Sequence, residues 1–203
     1  MYICLEGIDV SGKSTQILLL EEWLNECGFE VMRVFEPTDS DIGRLIRKML
    51  RDPDATGENF QKTLALLFAA DRMVLMDEIK AAEGSGKIVI SDRCFYSSIV
   101  YQNDPSWLYE LNKFVKVPDM VVLLDLEVET ALKRCDGKDS FENKVFLEKI
   151  RERYLDLTKK DVREKYLEVA AKNDFFVINA NNGINKVHDE IKRVISPKIG
   201  RCI

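Results

Sequence analysis

Tyr2-Ile3-Cys4-Leu5-Glu6-Gly7-Ile8-Asp9-Val10-Ser11-Gly12-Lys13-Ser14-Thr15 decides the fold. Tyr2 to Glu6 is a short, mostly apolar run bounded by glycine, the pattern of a buried strand. Gly7 to Ser14 then spells G-x4-G-K-S. From Gln16 onward, Ile17, Leu20, Trp23, Leu24 and Cys27 fall on one helical stripe, which Gly28 ends. Strand, glycine loop and helix in that order make a phosphate cradle. The glycines let the loop curl so that successive N–H groups point inward, and the helix adds its positive N-terminal end. Lys13 is placed to reach the β- and γ-phosphates, and the Ser14 hydroxyl to ligate Mg²⁺. A glycine turn with an accidental lysine would need neither the strand before nor the helix after. Gly7, Ile8, Asp9, Val10, Ser11, Gly12, Lys13, Ser14 and Thr15 therefore read as a nucleoside triphosphate site.

Outward from this loop, apolar runs at Glu30–Phe35, Ile88–Ser91, Met120–Asp125 and Phe175–Asn179 alternate with helical patterns. They lack clean period-2 alternation, so the expectation is strands covered on both faces. This βαβ order predicts a parallel sheet with helices on both sides. Phe60 to Ala82 is helical and apolar almost all round, so it either threads the centre of the domain or meets a partner subunit. Ile184, Val187, Ile191, Val194 and Ile195 predict a closing helix. Cys135–Ser140 is a polar, turn-rich island where a mobile flap could sit.

The 203 residues suit a single domain spanning 1–203. A formal charge of −5 argues against general nucleic-acid binding. No apolar run approaches the roughly 18 residues of a membrane span. Five scattered cysteines fit neither a disulfide framework nor a zinc site, and a reducing cytosol suits them. With His188 as the one histidine, chemistry needing two imidazoles is excluded. The expectation is a soluble, cytoplasmic domain.

Among P-loop proteins, a GTPase would carry N-K-x-D for guanine, and Asn143-Lys144-Val145-Phe146 lacks the aspartate. The loop is not G-x-G-x-x-G, which removes a dinucleotide site. A small phosphotransferase remains. Its second constellation follows Ile88–Ser91, where the strand runs into Asp92-Arg93. An acid at a strand end beside the P-loop strand is where a metal-organising carboxylate belongs. An adjacent arginine can fork onto a phosphate. Alone, such a pair could equally cap a helix.

The chain here resembles the thymidylate kinases, P-loop enzymes that pass the γ-phosphoryl of ATP to dTMP. The likeness rests on Leu5–Asp9 leading into Gly12–Gln16, on Glu36-Pro37-Thr38 with Ile42-Gly43 and Arg47, and on Phe68-Ala69-Ala70-Asp71-Arg72. It continues through Asp92-Arg93 with Ser97 and Tyr101-Gln102, Leu124-Asp125-Leu126, Phe141-Glu142 and Val177-Ile178-Asn179-Ala180. The resemblance implies a three-layer α/β sandwich with a five-stranded parallel sheet of order 2-3-1-4-5, a short lid at about 134–142, and a homodimer. It implies ATP, dTMP and Mg²⁺ as ligands. By resemblance, Asp9 lies near the sugar 3′-OH, Arg93 holds the acceptor phosphate, and Asp92 organises the magnesium shell with Ser14. Phe68 looks like the residue that stacks on thymine, and Arg72 like the one that hydrogen-bonds it. Tyr101 is similar to the aromatic that crowds the 2′ position. Ser97, Ser98 and Gln102 belong to the same pocket, with Glu36, Pro37 and Arg47 at its phosphate end. Asn179 and Ala180 fall on the ATP side.

An acceptor phosphate has its second pKa near 6, so it is mostly dianionic at neutral pH and needs no general base. Catalysis is then positioning and charge neutralisation by Lys13, Arg93, Mg²⁺ and further cations.

The chain departs from the pattern in several places. Val10 and Ser11 stand where one group of thymidylate kinases has a P-loop arginine, and Ser140 where the other carries a flap arginine. The expectation is that Lys138, at the flap tip, closes over the phosphates with Arg134 nearer the adenine. Phe35 replaces an arginine common before Glu-Pro, which predicts a less firmly held acceptor phosphate, and Cys94 replaces the usual Tyr or His after Asp-Arg. Two other readings stay open: a kinase for another nucleotide or deoxynucleoside, and a nucleotide-binding protein without turnover.

Overall fold

The computed structural model describes residues 1–52, 57–134, 144–164 and 173–200. The apolar runs form strands β1 (Tyr2–Glu6), β2 (Val31–Phe35), β3 (Ile88–Asp92), β4 (Met120–Asp125) and β5 (Asp174–Asn179). All four pairings are parallel, in the order β2-β3-β1-β4-β5. The expected sheet is therefore present, strand for strand. Leu5 and Phe35 both lie opposite Asp92. That register brings the carboxyl ends of β1, β2 and β3 side by side, with β1 at the point where the strand order reverses. Open α/β sheets bind their ligands in that crevice.

Coverage of the strands is uneven. β1 is entirely buried, and β3 and β4 are buried up to their last residue. The edge strands β2 and β5 leave Arg33, Phe35, Val177 and Asn179 exposed. Full burial of both faces, expected of every strand, thus holds only for the three central ones, because an edge strand has helices over only part of its width.

Helix α1 (Lys13–Glu26) is closed by Gly28, at φ 84°, and Phe29 N–H bonds Leu24 C=O at 3.0 Å across the turn. α2 (Asp41–Met49) is capped by Ser40, whose Oγ accepts from Gly43 N–H at 3.0 Å. α3 (Glu58–Gly84) is the long apolar helix, buried along one side and exposed along another. Leu64, Ala65, Ala69, Asp71, Arg72, Leu75, Met76 and Ile79 face inward and are buried. Leu66, Ala70, Met73 and Val74 form an outward stripe, with Leu66 52% exposed.

Short helices α4 (Phe95–Tyr101) and α5 (Pro105–Leu111) follow β3, and α6 (Val128–Arg134) follows β4. α7 (Lys144–Thr158), α8 (Lys160–Glu164) and α9 (Ile184–Ile199) complete the layers. Apart from Arg134, the expected lid lies outside the described residues, and so does Lys138. Among the described residues, no helix is long and apolar enough to cross a membrane. Cys4 and Cys94 are free and buried, whereas Cys27 is disulfide-bonded, which departs from the reading of unpaired thiols.

Candidate active site

The loop after β1 curls because glycine removes two obstacles. At Gly7, φ 146°, a Cβ would stand 2.7 Å from Leu124 O and 2.9 Å from Ser11 Oγ. At Gly12, φ 97°, the left-handed backbone leads into α1. Between them Val10 holds φ 57°, a strained conformation for a β-branched residue, of a kind that gathers at ligand clamps. Lys13 is buried, and its ammonium donates to the carbonyls of Gly7 and Ile8, each at 3.1 Å. One of its three N–H groups is left for a phosphate. Burial, and then the positive charge of Arg93, bring its pKa down to about 8 against the opposing pull of Asp9, Asp92 and Glu6.

Ser14 Oγ donates to Asp92 Oδ2 at 3.1 Å. A hydroxyl and a carboxylate this close offer two hard oxygens to one small cation, a donor set that suits Mg²⁺. Arg93 leaves β3 with φ 72° and turns back toward the loop. It bonds the carboxylate of Asp9, Gly7 C=O at 3.2 Å and Ser97 Oγ at 3.0 Å, and its guanidinium lies 5.2 Å over the Tyr101 ring. Lys13 and Arg93 line one hollow of about 560 Å³ with Gly12, Ser14, Thr15 and Asp92.

A second cavity, of about 500 Å³, opens beside it. Every residue expected on the acceptor side lines it: Asp9, Glu36, Pro37, Arg47, Phe68, Arg72, Arg93, Ser97, Ser98, Tyr101 and Gln102. Asp9, Glu36, Pro37, Arg47 and Arg93 belong to both hollows, so the two meet there. Arg72 is almost fully buried, with its guanidinium gripped by both oxygens of Glu36 and by Asn112 Oδ1. Burial pushes the Glu36 carboxyl up, and Arg72 offsets only part of that rise. The Tyr101 hydroxyl and Gln102 Oε1 are buried in this region with no hydrogen-bond partner among the described residues. Burial also raises the Tyr101 phenol.

Arg47 reaches the junction from α2. It donates to the carbonyls of Thr38 at 2.7 Å and Pro37 at 2.6 Å, and rides 5.8 Å over the Phe35 ring. That loop is in turn pinned by buried Asp71, which accepts from Thr38 N–H at 2.7 Å and Ser40 Oγ at 2.7 Å. A Cβ on Gly43 would lie 1.9 Å from Thr38 O, so α2 can approach only through glycine. Phe35, the residue in the place of an arginine, lies under the Arg47 guanidinium.

Arg134 Nη1 donates to Val10 C=O at 3.1 Å, on the shoulder of the P-loop. Asn179 and Ala180 stand at the end of β5, where Ala180 N–H bonds Asp125 C=O at 2.8 Å, and they line neither hollow. Glu6 belongs to the Leu5–Asp9 run, though its partners are not evident there, and Asn112 and Tyr154 lie outside every run quoted above. The latter two read as helix-face residues, and no motif draws attention to them.

The sequence model of the family described as thymidylate kinase matches residues 5–191. The probable thymidylate kinase of Methanobrevibacter smithii is 48% identical over 202 residues, covering 100% of this chain and 97% of that one. The probable thymidylate kinase of Methanothermobacter thermautotrophicus is 48% identical with the same coverage. A solved thymidylate kinase structure from Candida albicans superposes with a TM-score of 0.81 at 24% identity, over 97% of this chain and 91% of that one. With the P-loop, the strand-end Asp92-Arg93 and the joined cavity in place, the match along the whole length assigns this chain to the thymidylate kinase family.

Proposed function

We infer that ATP occupies the hollow at Lys13 and dTMP the adjoining cavity, with the γ-phosphoryl crossing where the two meet. The observation that carries this is the shared lining of Asp9, Arg47 and Arg93. ATP:dTMP phosphotransfer is the reaction of the family. In it the acceptor phosphate is its own nucleophile, so the protein's work is to bring two polyanions into line. Lys13 and the loop amides grip the donor. Arg93, with Arg47 behind it, holds the acceptor and offsets the repulsion between the two. Mg²⁺, held by Ser14 and Asp92, would supply charge neutralisation on the donor phosphates.

Base choice comes from stacking on Phe68 and from Arg72. A guanidinium has five N–H donors. Three go to Glu36 and Asn112, and Ser98 Oγ is a distant acceptor at 3.4 Å. The N–H groups left over point the choice toward a base that presents an acceptor. A cytoplasmic setting, where both nucleotides are at hand, belongs to the same reading.

The test is coupled detection of ADP with Mg·ATP against a panel of nucleoside monophosphates, thymidine and a no-acceptor blank. The expected result is fastest turnover on dTMP, with dUMP slower by about 10- to 200-fold for its missing methyl. No ADP should form from thymidine or the blank. Faster turnover on thymidine would overturn the acceptor assignment, and binding of ATP with no ADP formed on any acceptor would favour the protein without turnover.

The outward stripe of α3, Leu66, Ala70, Met73 and Val74, supports a homodimer closed by packing α3 on its symmetry mate. Sedimentation velocity at micromolar concentration should give a species of twice the chain mass, and Val74→Glu should return it to monomer. A monomer in the wild type would remove this proposal.

A further inference from the structure

Behind Arg93, where the two hollows meet, lies a polar cluster whose centre lines neither of them. Its centre is Glu6, at the end of β1, 0% exposed. A buried carboxylate is costly unless its oxygens are satisfied and its charge is matched. Here both conditions are met by groups that hold Arg93. Oε1 accepts the Cys94 N–H at 3.0 Å, the amide just after Arg93. Oε2 accepts Ser97 Oγ at 2.8 Å and the Tyr154 hydroxyl at 2.8 Å. Arg93 Nη1 donates to those same two hydroxyls, at 3.0 and 3.1 Å, and stands 3.9 Å from Oε2.

One carboxylate thus grips Arg93 from both ends. Through Oε1 it fixes the backbone, which is held at φ 72°, a value that persists only where surroundings impose it. Ser91 Oγ assists by donating to Arg93 C=O at 2.8 Å. Through Oε2 it orients the two hydroxyls that take Nη1. The Nη2 edge, which meets Asp9, is left facing the hollow. Tyr154 closes the arrangement from α7, the helix that follows the expected lid segment.

We propose that Glu6 and Tyr154 are positioning residues that preset the Arg93 guanidinium for the acceptor phosphate before any nucleotide arrives. This rests on the reading of Arg93 as the acceptor-phosphate arginine. Preset geometry matters because misplacement of a reacting group by about 1 Å can lower a rate about 100-fold. A cluster that served folding alone would change stability and leave phosphate recognition intact.

The readout that separates these is the phosphate increment, the ratio of the dissociation constants of thymidine and dTMP measured by calorimetry on the whole protein. Thymidine reports the base and sugar contacts, and only dTMP adds the phosphate. Tyr154→Phe keeps the ring and removes the hydroxyl. It is expected to shrink the increment about 10-fold, leave thymidine affinity unchanged, and lower kcat with dTMP. Glu6→Gln should act in the same direction, with Tyr154→Phe deciding the matter if Glu6→Gln does not fold. Arg93→Ala serves as the reference. If Arg93→Ala removes the increment and Tyr154→Phe leaves it at the wild-type value, the positioning role is overturned and the Arg93 reading stands. An unchanged increment in Arg93→Ala would instead overturn that underlying reading.

Discussion

Lys13→Ala is expected to lower kcat about a thousandfold, the upper range for removing one preorganised cationic donor from a phosphoryl-transfer site. Melting temperature should hold or rise, because Lys13 is a buried charge whose native form is disfavoured relative to the unfolded chain. The sign follows from its pKa of about 8 against an ordinary 10.5. Between those values the unfolded chain binds more protons, so this group's contribution makes stability rise with pH. ATP affinity runs the opposite way. Phosphates bind the ammonium and not the amine, so the apparent KM for ATP should climb above about pH 8, by at most about tenfold per pH unit. In Lys13→Arg, whose charge does not titrate in this range, the climb should vanish. Measured kcat within tenfold of wild type in Lys13→Ala would remove the lysine from the transfer step, and a flat KM profile would remove its titration.

What the sequence discloses and what it conceals divide along a physical line. Periodicity and glycine spacing report on the backbone, and they locate all five strands, α1, α3 and the curl at Gly7–Gly12. The eleven residues that the family resemblance places on the acceptor side, scattered from Asp9 to Gln102, gather in one cavity. Residues that work through other residues left no such trace. Asp71 stands in a recognised run, but nothing local says that it reaches the Thr38–Ser40 loop, a contact between positions 33 apart. Tyr154 looks like one more apolar tooth of an amphipathic helix, and its hydroxyl meets Glu6 across 148 positions. Phe35 carries a contact of the same hidden kind. In the sequence it reads as a charge missing before Glu36-Pro37, and in space its ring lies under Arg47, a charge from another helix. Long-range polar contacts are set by the packing of elements, which a one-dimensional pattern does not encode.

Glu36→Gln should be the most destabilising conservative change in the acceptor cavity. The Arg72–Glu36 pair is 2% and 5% exposed on its two sides, so water cannot replace the lost charge. Removing one partner of such a pair leaves an uncompensated buried cation, at a cost of about 3–5 kcal/mol. For a domain of this size that is a fall in melting temperature of roughly 6–20 °C. Asn112→Ala, which takes away only a neutral acceptor, should cost about 1–3 kcal/mol. The two effects also differ in function. With Glu36 neutral, the guanidinium is no longer held edge-on, so its preference for a base bearing a carbonyl acceptor over one bearing an amino group should weaken. The ratio of kcat/KM for dTMP to that for dCMP is the measure. The double variant Glu36→Gln/Arg72→Met separates stability from recognition. Replacing both charges by groups of similar volume restores most of the lost stability. Base preference should stay lost, because nothing in the cavity then donates to the thymine carbonyl from that wall. A double variant that recovered selectivity together with stability would show that Arg72 supports the fold and takes no part in choosing the base.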